Sequence, residues 1–352
     1  VLDGNIDVFN FNHKEGGSNA SAVAPSRTPD GSTYFMSNSH QPNTGRFAWY
    51  EVHVHSEEGW HFHGATFPGA VTPFVGTNEN LSWTHTNNYH MFGDIYKLKM
   101  HPKKKHTYEL DGEWHKLDVD RKWLKVKVLG PIRLPIPRKV YVSKHGPVYK
   151  QDGVYYAFRY PALKELRAPE QWYRMNKARN LDEFKQALDM YALTLYNTVS
   201  ADKKGNIALW SEGIFPERDP SLNWHYPLPG DSSQYIWDWD NRLPREKHVY
   251  KINPECGYVW NANNTPLNCT CEEENPERDW IGVQRFTYNR GDRFTRLFNQ
   301  FEAEDISWED YKAIKYDKCY DPEGTYMHSF GKLYEMDPNQ YPKIGDALAH
   351  IQ

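Results

Sequence analysis

The stretch Gly16-Gly17-Ser18-Asn19-Ala20, which continues as Ser21-Ala22-Val23-Ala24-Pro25, decides how the rest of the sequence is interpreted. Two consecutive glycines before a serine permit the strained or positive-φ backbone that a self-cleaving peptide bond needs. Ser18 is therefore a candidate nucleophile. The same residue types are also typical of an ordinary turn, so this stretch alone leaves both interpretations open.

The residues after Ser18 predict a β-hairpin. Two short apolar runs, Ala22–Ala24 and Tyr34–Met36, flank a turn at Pro29-Asp30-Gly31. Two strands that flank a tight turn pair with each other. We therefore expect the far end of the hairpin to return His40 toward Ser18.

The composition indicates a globular, strand-rich chain. Its 352 residues are 39% hydrophobic and include 24 Tyr, 13 Trp and 16 Phe, with 23 Gly and 23 Pro distributed along the chain. Aromatic residues separated by turn formers favour many short strands. The net charge of −4 provides no field that would attract nucleic acid. We see no apolar run long enough for a membrane span.

Local patterns locate the main elements. Alternating or apolar runs predict strands at Trp49–His55, His61–Ala65, Leu81–Asn88, Ile95–Met100, Trp123–Val128, Lys139–Ser143, Val154–Tyr160 and Ile207–Trp210. Asn180 is suited to cap a helix with Glu183 at its third position, since Leu181, Phe184, Leu188 and Tyr191 then share one face. Further helices are predicted at Asp292–Phe301 and Ser307–Tyr316. We find no internal repeat and no convincing linker between two domains.

Four histidines form a separate candidate site. His53, His55, His61 and His63 occur at i, i+2 spacing on two predicted strands, which lines them up on one face of a hairpin. Such a row is compatible with zinc ligands and hence with a zinc hydrolase. The alternative is that they are ordinary strand side chains, because the sequence places no acidic partner beside them.

The cysteines and the first residues provide information about the cellular compartment and the processing of the protein. Cys256, Cys269, Cys271 and Cys319 lack the CxxC spacing of a zinc or thioredoxin site. A disulfide would form in an oxidising compartment, but the sequence leaves its pairing open. The first residues lack the basic and apolar segments of a signal peptide, so we expect the sequence to be an internal or processed piece.

Several short motifs occur in a meaningful order from about Gly16 to about Asp317. They are Gly17-Ser18-Asn19, Asn38-Ser39-His40, Gly64 to Gly69, Gly76-Thr77-Asn78, Trp83 to Asn87, His145 to Val148, Asn197 to Asn206, Asn263 to Pro266 and Gly291-Asp292-Arg293. In this order the chain resembles the penicillin acylase family of N-terminal nucleophile hydrolases, which includes penicillin, cephalosporin and acyl-homoserine lactone acylases.

The resemblance implies an α+β fold, namely the strand-rich four-layer αββα sandwich of the N-terminal nucleophile hydrolases. Residues 1–17 would be a linker before the nucleophile, and residues 18–352 an incomplete nucleophile subunit. A helical alpha subunit from the same precursor would be the partner. Export to the periplasm or secretion is also implied by the family.

For the chemistry, the resemblance implies that Ser18 is the nucleophile and that the Gly17–Ser18 bond is cut by the precursor itself. The freed α-amine, with a pKa of about 8, then serves as the base. His40 would orient and tune this amine. The backbone N–H of Asn87 and the side-chain amide of Asn263 would hold the oxyanion, with Asn264 as the alternative if the alignment is off by one residue.

Other residues have implied roles near this centre. Arg293 matches a family arginine that supports Asn263 or engages the substrate, the alternative being a surface salt bridge. Gln41 and Val75 are candidate substrate-binding residues. The reaction requires no cofactor, although some members bind calcium through two acidic residues. Asp94 matches one of these and is a candidate calcium ligand, whereas Met91 stands where the other would be.

The expected function is hydrolysis of a small-molecule, linear N-acyl amide through an acyl-serine intermediate, with an apolar acyl group. The resemblance places such enzymes in antibiotic metabolism or quorum sensing. The main rival is a non-catalytic or unprocessed binding protein of the same fold, from which a free amine at Ser18 would distinguish the enzyme.

Overall fold

A computed structural model describes residues 17–301 and 305–352. The predicted linker, residues 1–17, lies outside the described residues except for Gly17. The chain divides into two compact units. The sandwich unit contains residues 17–90, 167–213 and 245–352, and the hairpin unit contains residues 91–166 and 214–244.

The described residues alternate short strands with a few helices. The strands are β1 Gly17–Val23, β2 Tyr34–His40, β3 Tyr50–Ser56, β4 Trp60–Thr66, β5 Val75–Thr77, β6 Leu81–Asn87, β7 Asp94–Lys97, β8 Thr107–Leu110, β9 Glu113–Lys116, β10 Asp118–Leu129, β11 Ile132–Val142, β12 Pro147–Gln151, β13 Val154–Arg159, β14 Tyr196–Asp202, β15 Ile207–Glu212, β16 Leu228–Pro229, β17 Tyr250–Ile252 and β18 Tyr258–Asn261. The helices are α1 Ala168–Lys177, α2 Leu181–Leu188, α3 Asn289–Asn299, α4 Trp308–Tyr316, α5 Thr325–Glu335 and α6 Gly345–Ile351.

Two sheets form the centre of the sandwich unit. The smaller has the order β18-β1-β2, and the larger has the order β17-β15-β14-β6-β5-β4-β3. Alternate residues of β1 face opposite layers, as a strand requires. Ala20 and Ala22 pack with Val199 and Leu209 of the larger sheet, whereas the hydroxyl of Ser21 is 2.8 Å from that of Tyr311 in α4. Strand β1 is therefore buried on both faces.

Helices cover the outer face of each sheet. Phe294 and Phe298 of α3 join Trp260 of β18 in one apolar core. On the other side, Phe184 of α2 packs on Trp83 of β6. Each side chain of this size contributes about 1.5–3 kcal/mol when fully buried. The order helix, sheet, sheet, helix confirms the predicted αββα sandwich.

The predicted helices are present with shifted ends. The side chain of Asn180 accepts a hydrogen bond from the Glu183 N–H (2.9 Å), which confirms the predicted cap of α2. That helix stops at Leu188, so Tyr191 lies beyond it with a φ of +53°. Helix α3 begins at Asn289, three residues before the predicted start. Helices α1, α5 and α6 were not predicted.

The hairpin unit is built on a sheet with the order β10-β11-β12-β13-β7-β16. Strands β10 and β11 form a long ribbon that is mostly exposed and extends well past the predicted strand Trp123–Val128. The prolines in β11 are tolerated because β12 pairs with β11 only at Tyr141 and Val142, which leaves an edge where proline is allowed.

Cys256 and Cys271 form a disulfide, which supplies the pairing that the sequence left open. Cys269 is buried and Cys319 exposed, and both are free thiols. Within residues 17–301 and 305–352, we find no helix of the length and apolar character needed to cross a bilayer.

Candidate active site

Ser18 lies near the start of β1, where the two sheets meet, and is only 5% exposed. Its neighbour on one side is β2, with Ser18 opposite Ser39 and Gly17 opposite His40. The predicted hairpin is thus confirmed, and it brings His40 beside the Gly17–Ser18 bond. The candidate nucleophile is part of a buried central strand.

Asn263 is the residue that contacts Ser18 most closely. Its Oδ1 accepts a hydrogen bond from the Ser18 N–H (2.7 Å), and its Nδ2 donates to the Asn87 carbonyl (2.9 Å). A longer contact of 3.4 Å joins Nδ2 to the Ser18 Oγ. Since an N–H must face an acceptor and a carbonyl must face a donor, these partners determine the orientation of the amide. Asn263 therefore links the Ser18 nitrogen, the Ser18 hydroxyl and the backbone carbonyl of Asn87, the residue whose N–H is the predicted oxyanion donor.

The backbone at Asn263 is unusual and well supported. Its φ is +66°, a left-handed conformation that asparagine tolerates better than most residues. Its N–H donates to the Asn261 side chain (2.9 Å), and its carbonyl accepts from the Gln284 side chain (2.8 Å). Both contacts hold the side-chain amide in place. Asn264 instead caps its own loop through the Ala262 N–H, so it does not replace Asn263 at Ser18.

Arg290 is the arginine that contacts both Ser18 and Asn263, and the sequence analysis did not predict it. Its guanidinium donates to Asn263 Oδ1 (2.8 Å) and to the Ser18 carbonyl (3.0 Å), and it also contacts the Asn19 side chain. Arg293, which the sequence suggested, pairs with Asp317 (2.8 Å) one turn further along α3. The structure therefore places Arg290, and not Arg293, against Asn263. The sequence Arg290-Gly291-Asp292-Arg293 contains two arginines, and from the sequence either one could contact Asn263.

Gly17 and His40 fill the space beside the Ser18 peptide nitrogen. A Cβ on Gly17 would lie 3.1 Å from His40 Nδ1 and 3.2 Å from polar atoms of Asn263 and Arg290, so a glycine is what fits here. Burial lowers the pKa of His40, and the nearby charge of Arg290 lowers it further. Both effects favour the neutral imidazole.

A cleft in the sandwich unit is lined by residues of β2 to β5 and includes Ser39, the strand partner of Ser18. Its volume is about 570 Å³, and its lining includes Ser39, Trp49 and Val75. Ser39 is the register partner of Ser18, and partners in antiparallel strands present their side chains on one face. Val75 is 7% exposed. Gln41 directly follows β2 and is partly buried.

The four strand histidines form an exposed row on β3 and β4, with His53 opposite His63 and His55 opposite His61. His61 hydrogen-bonds both His53 (2.9 Å) and Glu79 (3.0 Å), and His63 hydrogen-bonds Glu51 (2.8 Å). The expectation that no acidic partner lies beside these histidines was therefore wrong. In the part of the chain that the structure describes, these histidines do not form a convergent set of three metal ligands. This arrangement favours the interpretation as strand side chains.

Asp94 begins β7 in the hairpin unit and does not fit a calcium site. Both of its carboxylate oxygens lie against Arg218 Nε, at 3.2 and 3.0 Å. The Trp237 indole N–H also donates to Oδ2, at 2.6 Å. Donor groups thus occupy the oxygens that a calcium ion would need.

Comparisons with known proteins show the family and the fold. A sequence model of the penicillin amidase family matches residues 3–343. The chain belongs to the penicillin amidase family. The chain also shares its fold with a solved thermostable penicillin G acylase from Alcaligenes faecalis. The TM-score is 0.71 at 22% identity, over 94% of this chain and 58% of the other.

Curated relatives include two kinds of acylase. An acyl-homoserine lactone acylase PvdQ of Pseudomonas fluorescens (strain Pf0-1) is 29% identical over 252 residues, 66% of this chain and 32% of the relative. The Escherichia coli penicillin G acylase is 29% identical over 260 residues, 70% of this chain and 29% of the relative. The matched regions thus span about a third of each relative's length.

Proposed function

We propose that this protein is an N-acyl amide hydrolase whose nucleophile is Ser18 after cleavage of the Gly17–Ser18 bond. The observation that carries the proposal is the amide of Asn263, which links the Ser18 nitrogen, the Ser18 hydroxyl and the Asn87 backbone. A serine in an ordinary surface turn would be exposed and would not make these buried hydrogen bonds. The family membership of the chain supports the same reaction class.

The first step is self-cleavage. Ser18 Oγ attacks the carbonyl carbon of Gly17, the C–N bond breaks as the Ser18 nitrogen takes up a proton, and an ester joins Gly17 to Ser18. Water then hydrolyses the ester, which releases the Gly17 carboxyl group and leaves Ser18 with a free α-amine. Because Gly17 has no Cβ, no side chain crowds His40, Asn263 and Arg290 beside this bond.

The second step is acyl transfer to water. The Ser18 amine takes the Oγ proton directly or through a water molecule, and Oγ attacks the substrate carbonyl. Asn263 Oδ1, which accepts the Ser18 N–H in the intact chain, would hold one amine hydrogen so that the lone pair faces Oγ. The amide Nδ2 and the Asn87 N–H would donate to the oxyanion. The leaving amine departs protonated, and water releases the acyl group from Ser18.

The cleft suggests the substrate. Trp49 and Val75 contribute apolar surface beside Ser39, which is suited to an apolar acyl group. The named relatives act on acyl-homoserine lactones and on penicillin G, and both kinds of substrate contain an acyl amide. We include a helical subunit from the same precursor as the partner. Export to the periplasm or beyond is supported by the Cys256–Cys271 disulfide.

The test is intact-mass analysis and N-terminal sequencing of wild type, Ser18→Ala and Ser21→Ala. Ser21 is a matched control, because it is a buried serine of the same strand whose hydroxyl contacts Tyr311. We expect a new terminus at Ser18 in wild type and in Ser21→Ala only. Processed protein is then assayed with phenylacetyl and fatty-acyl p-nitroanilides. An intact Gly17–Ser18 bond in every variant, with ligand binding but no hydrolysis, would favour the non-catalytic binding protein.

A further inference from the structure

The hairpin unit buries a charged pair that the proposed reaction does not use. The side chains of Asp94 and Arg218 are 1% and 0% exposed. A buried carboxyl group either takes up a proton or keeps its charge beside a compensating one. Burial raises the pKa of Asp94, and the positive charge of Arg218 opposes that shift and favours the carboxylate. The resemblance implies calcium at the matching position in some members of the family, and here the positive charge belongs to a side chain.

The surroundings of Arg218 resemble those of a bound cation. Its Nε contacts both oxygens of Asp94, and a terminal nitrogen donates to the Met91 carbonyl (2.8 Å). The Trp224 ring faces the guanidinium carbon at 5.7 Å. A carboxylate, a main-chain carbonyl and an aromatic face together stabilise one positive charge. Met91, which has no acidic side chain, thus contributes its backbone oxygen instead.

The groups around Asp94 are unsuitable as calcium ligands. Calcium takes about 6–8 oxygen ligands at about 2.3–2.6 Å. Asp94 Oδ2 already accepts from the Trp237 indole (2.6 Å) as well as from Arg218, so two N–H groups point at it. Each carries partial positive charge on its hydrogen and would repel an approaching metal ion. Both donors would have to leave before the carboxylate could bind one.

We propose that the guanidinium of Arg218 replaces a metal ion at Asp94 and makes the hairpin unit independent of calcium. A side-chain cation is present at every calcium concentration and costs no dehydration of a free ion. The unit should therefore keep its stability when calcium is removed. The proposal concerns binding and stability, so it stands or falls separately from the reaction at Ser18.

The first experiment measures calcium directly on the full chain. Wild type and Asp94→Asn are titrated with calcium by calorimetry and with terbium by luminescence, which Trp224 and Trp237 would sensitise if the ion bound at Asp94. We expect identical, negligible signals from the two proteins. We also expect the melting temperature of wild type to be the same in millimolar calcium and in excess chelator. Stoichiometric binding that Asp94→Asn abolishes, or a lower melting temperature in chelator, would overturn the proposal.

The second experiment tests the charge compensation. Arg218→Met leaves a buried carboxylate without its partner and should lower the melting temperature by at least about 5 °C. The double variant Asp94→Asn/Arg218→Met has no unpaired charge and should recover most of that loss. Arg174→Met, which breaks an exposed pair with Glu170, is the control and should change the melting temperature by no more than about 2 °C. A double variant no more stable than Arg218→Met would contradict the inference, and its comparison with wild type remains informative if Arg218→Met fails to fold.

Discussion

Replacement of Asn263 is the sharpest test of the proposed active site. The residue has a left-handed backbone, with φ at +66°, so alanine there adds strain of about 1–2 kcal/mol while glycine adds little. Asn263→Gly therefore removes the side chain without disturbing the loop. Asn263→Ala removes the same side chain with the strain. Comparison of the two variants separates the effect of losing the amide on activity from the effect of backbone strain on stability.

Both variants lose the donor Nδ2 and the acceptor Oδ1. Loss of one oxyanion donor typically lowers kcat by about 10²–10³-fold, or about 3–4 kcal/mol. We expect Asn263→Gly and Asn263→Ala to lose activity to this same extent. Both variants lose the hydrogen bonds of the side chain, and Asn263→Ala, which adds backbone strain, should unfold at a lower urea concentration than Asn263→Gly. The assay is hydrolysis of an acyl p-nitroanilide by protein whose processing has been verified by mass spectrometry. A folded, processed Asn263→Gly enzyme with nearly full kcat would refute the role of the amide.

Two further predictions follow from the contacts of the sandwich unit. Arg290→Met should lower kcat/KM by about 10–100-fold, because a charged hydrogen bond to Asn263 is lost. Arg293→Met, which breaks the pair with Asp317, should leave kcat/KM nearly unchanged. Equal losses of kcat/KM in the two variants would contradict this assignment. Burial lowers the pKa of His85 to about 3 from an ordinary value of 6.5, so its contribution to stability is present above pH 6.5 and is lost as the pH falls toward 3. Between pH 3 and 6.5, urea titrations of His85→Gln should show a slope of unfolding free energy against pH that is smaller by up to about 1.4 kcal/mol per pH unit. The reason is that a side chain which takes up a proton only in the unfolded state has been removed. An unchanged slope would show that the pKa of His85 is not lowered in the folded protein.

The central features of the site could be predicted because they lie in short, ordered motifs. Ser18 and His40 belong to one hairpin whose turn residues are evident in the sequence, and the structure places them in adjacent strands. Asn263 came from the resemblance, since no local pattern distinguishes a functional asparagine from one in a turn. Its contact with Ser18 spans 245 positions along the chain. Only the fold brings such residues together.

The errors have physical causes. The arginine was misassigned because α3 begins at Asn289, and a helix start without a side-chain cap is poorly marked in sequence. The extent of β11 was underestimated because Pro135 and Pro137 normally interrupt strands, and an open edge removes that restriction. The role of Asp94 depended on Arg218, a partner 124 positions away that no motif connects to it.

The hydrogen bond from the Ser18 N–H to Asn263 has a consequence for the timing of activation. The contact exists while the Gly17–Ser18 bond is intact, so the acceptor for the future amine is positioned before the amine is formed. The same is true of the Arg290 guanidinium that steadies this acceptor. In the proposed pathway the entropy of arranging these groups is lost during folding. Maturation is then limited by bond chemistry, without a conformational rearrangement of the site.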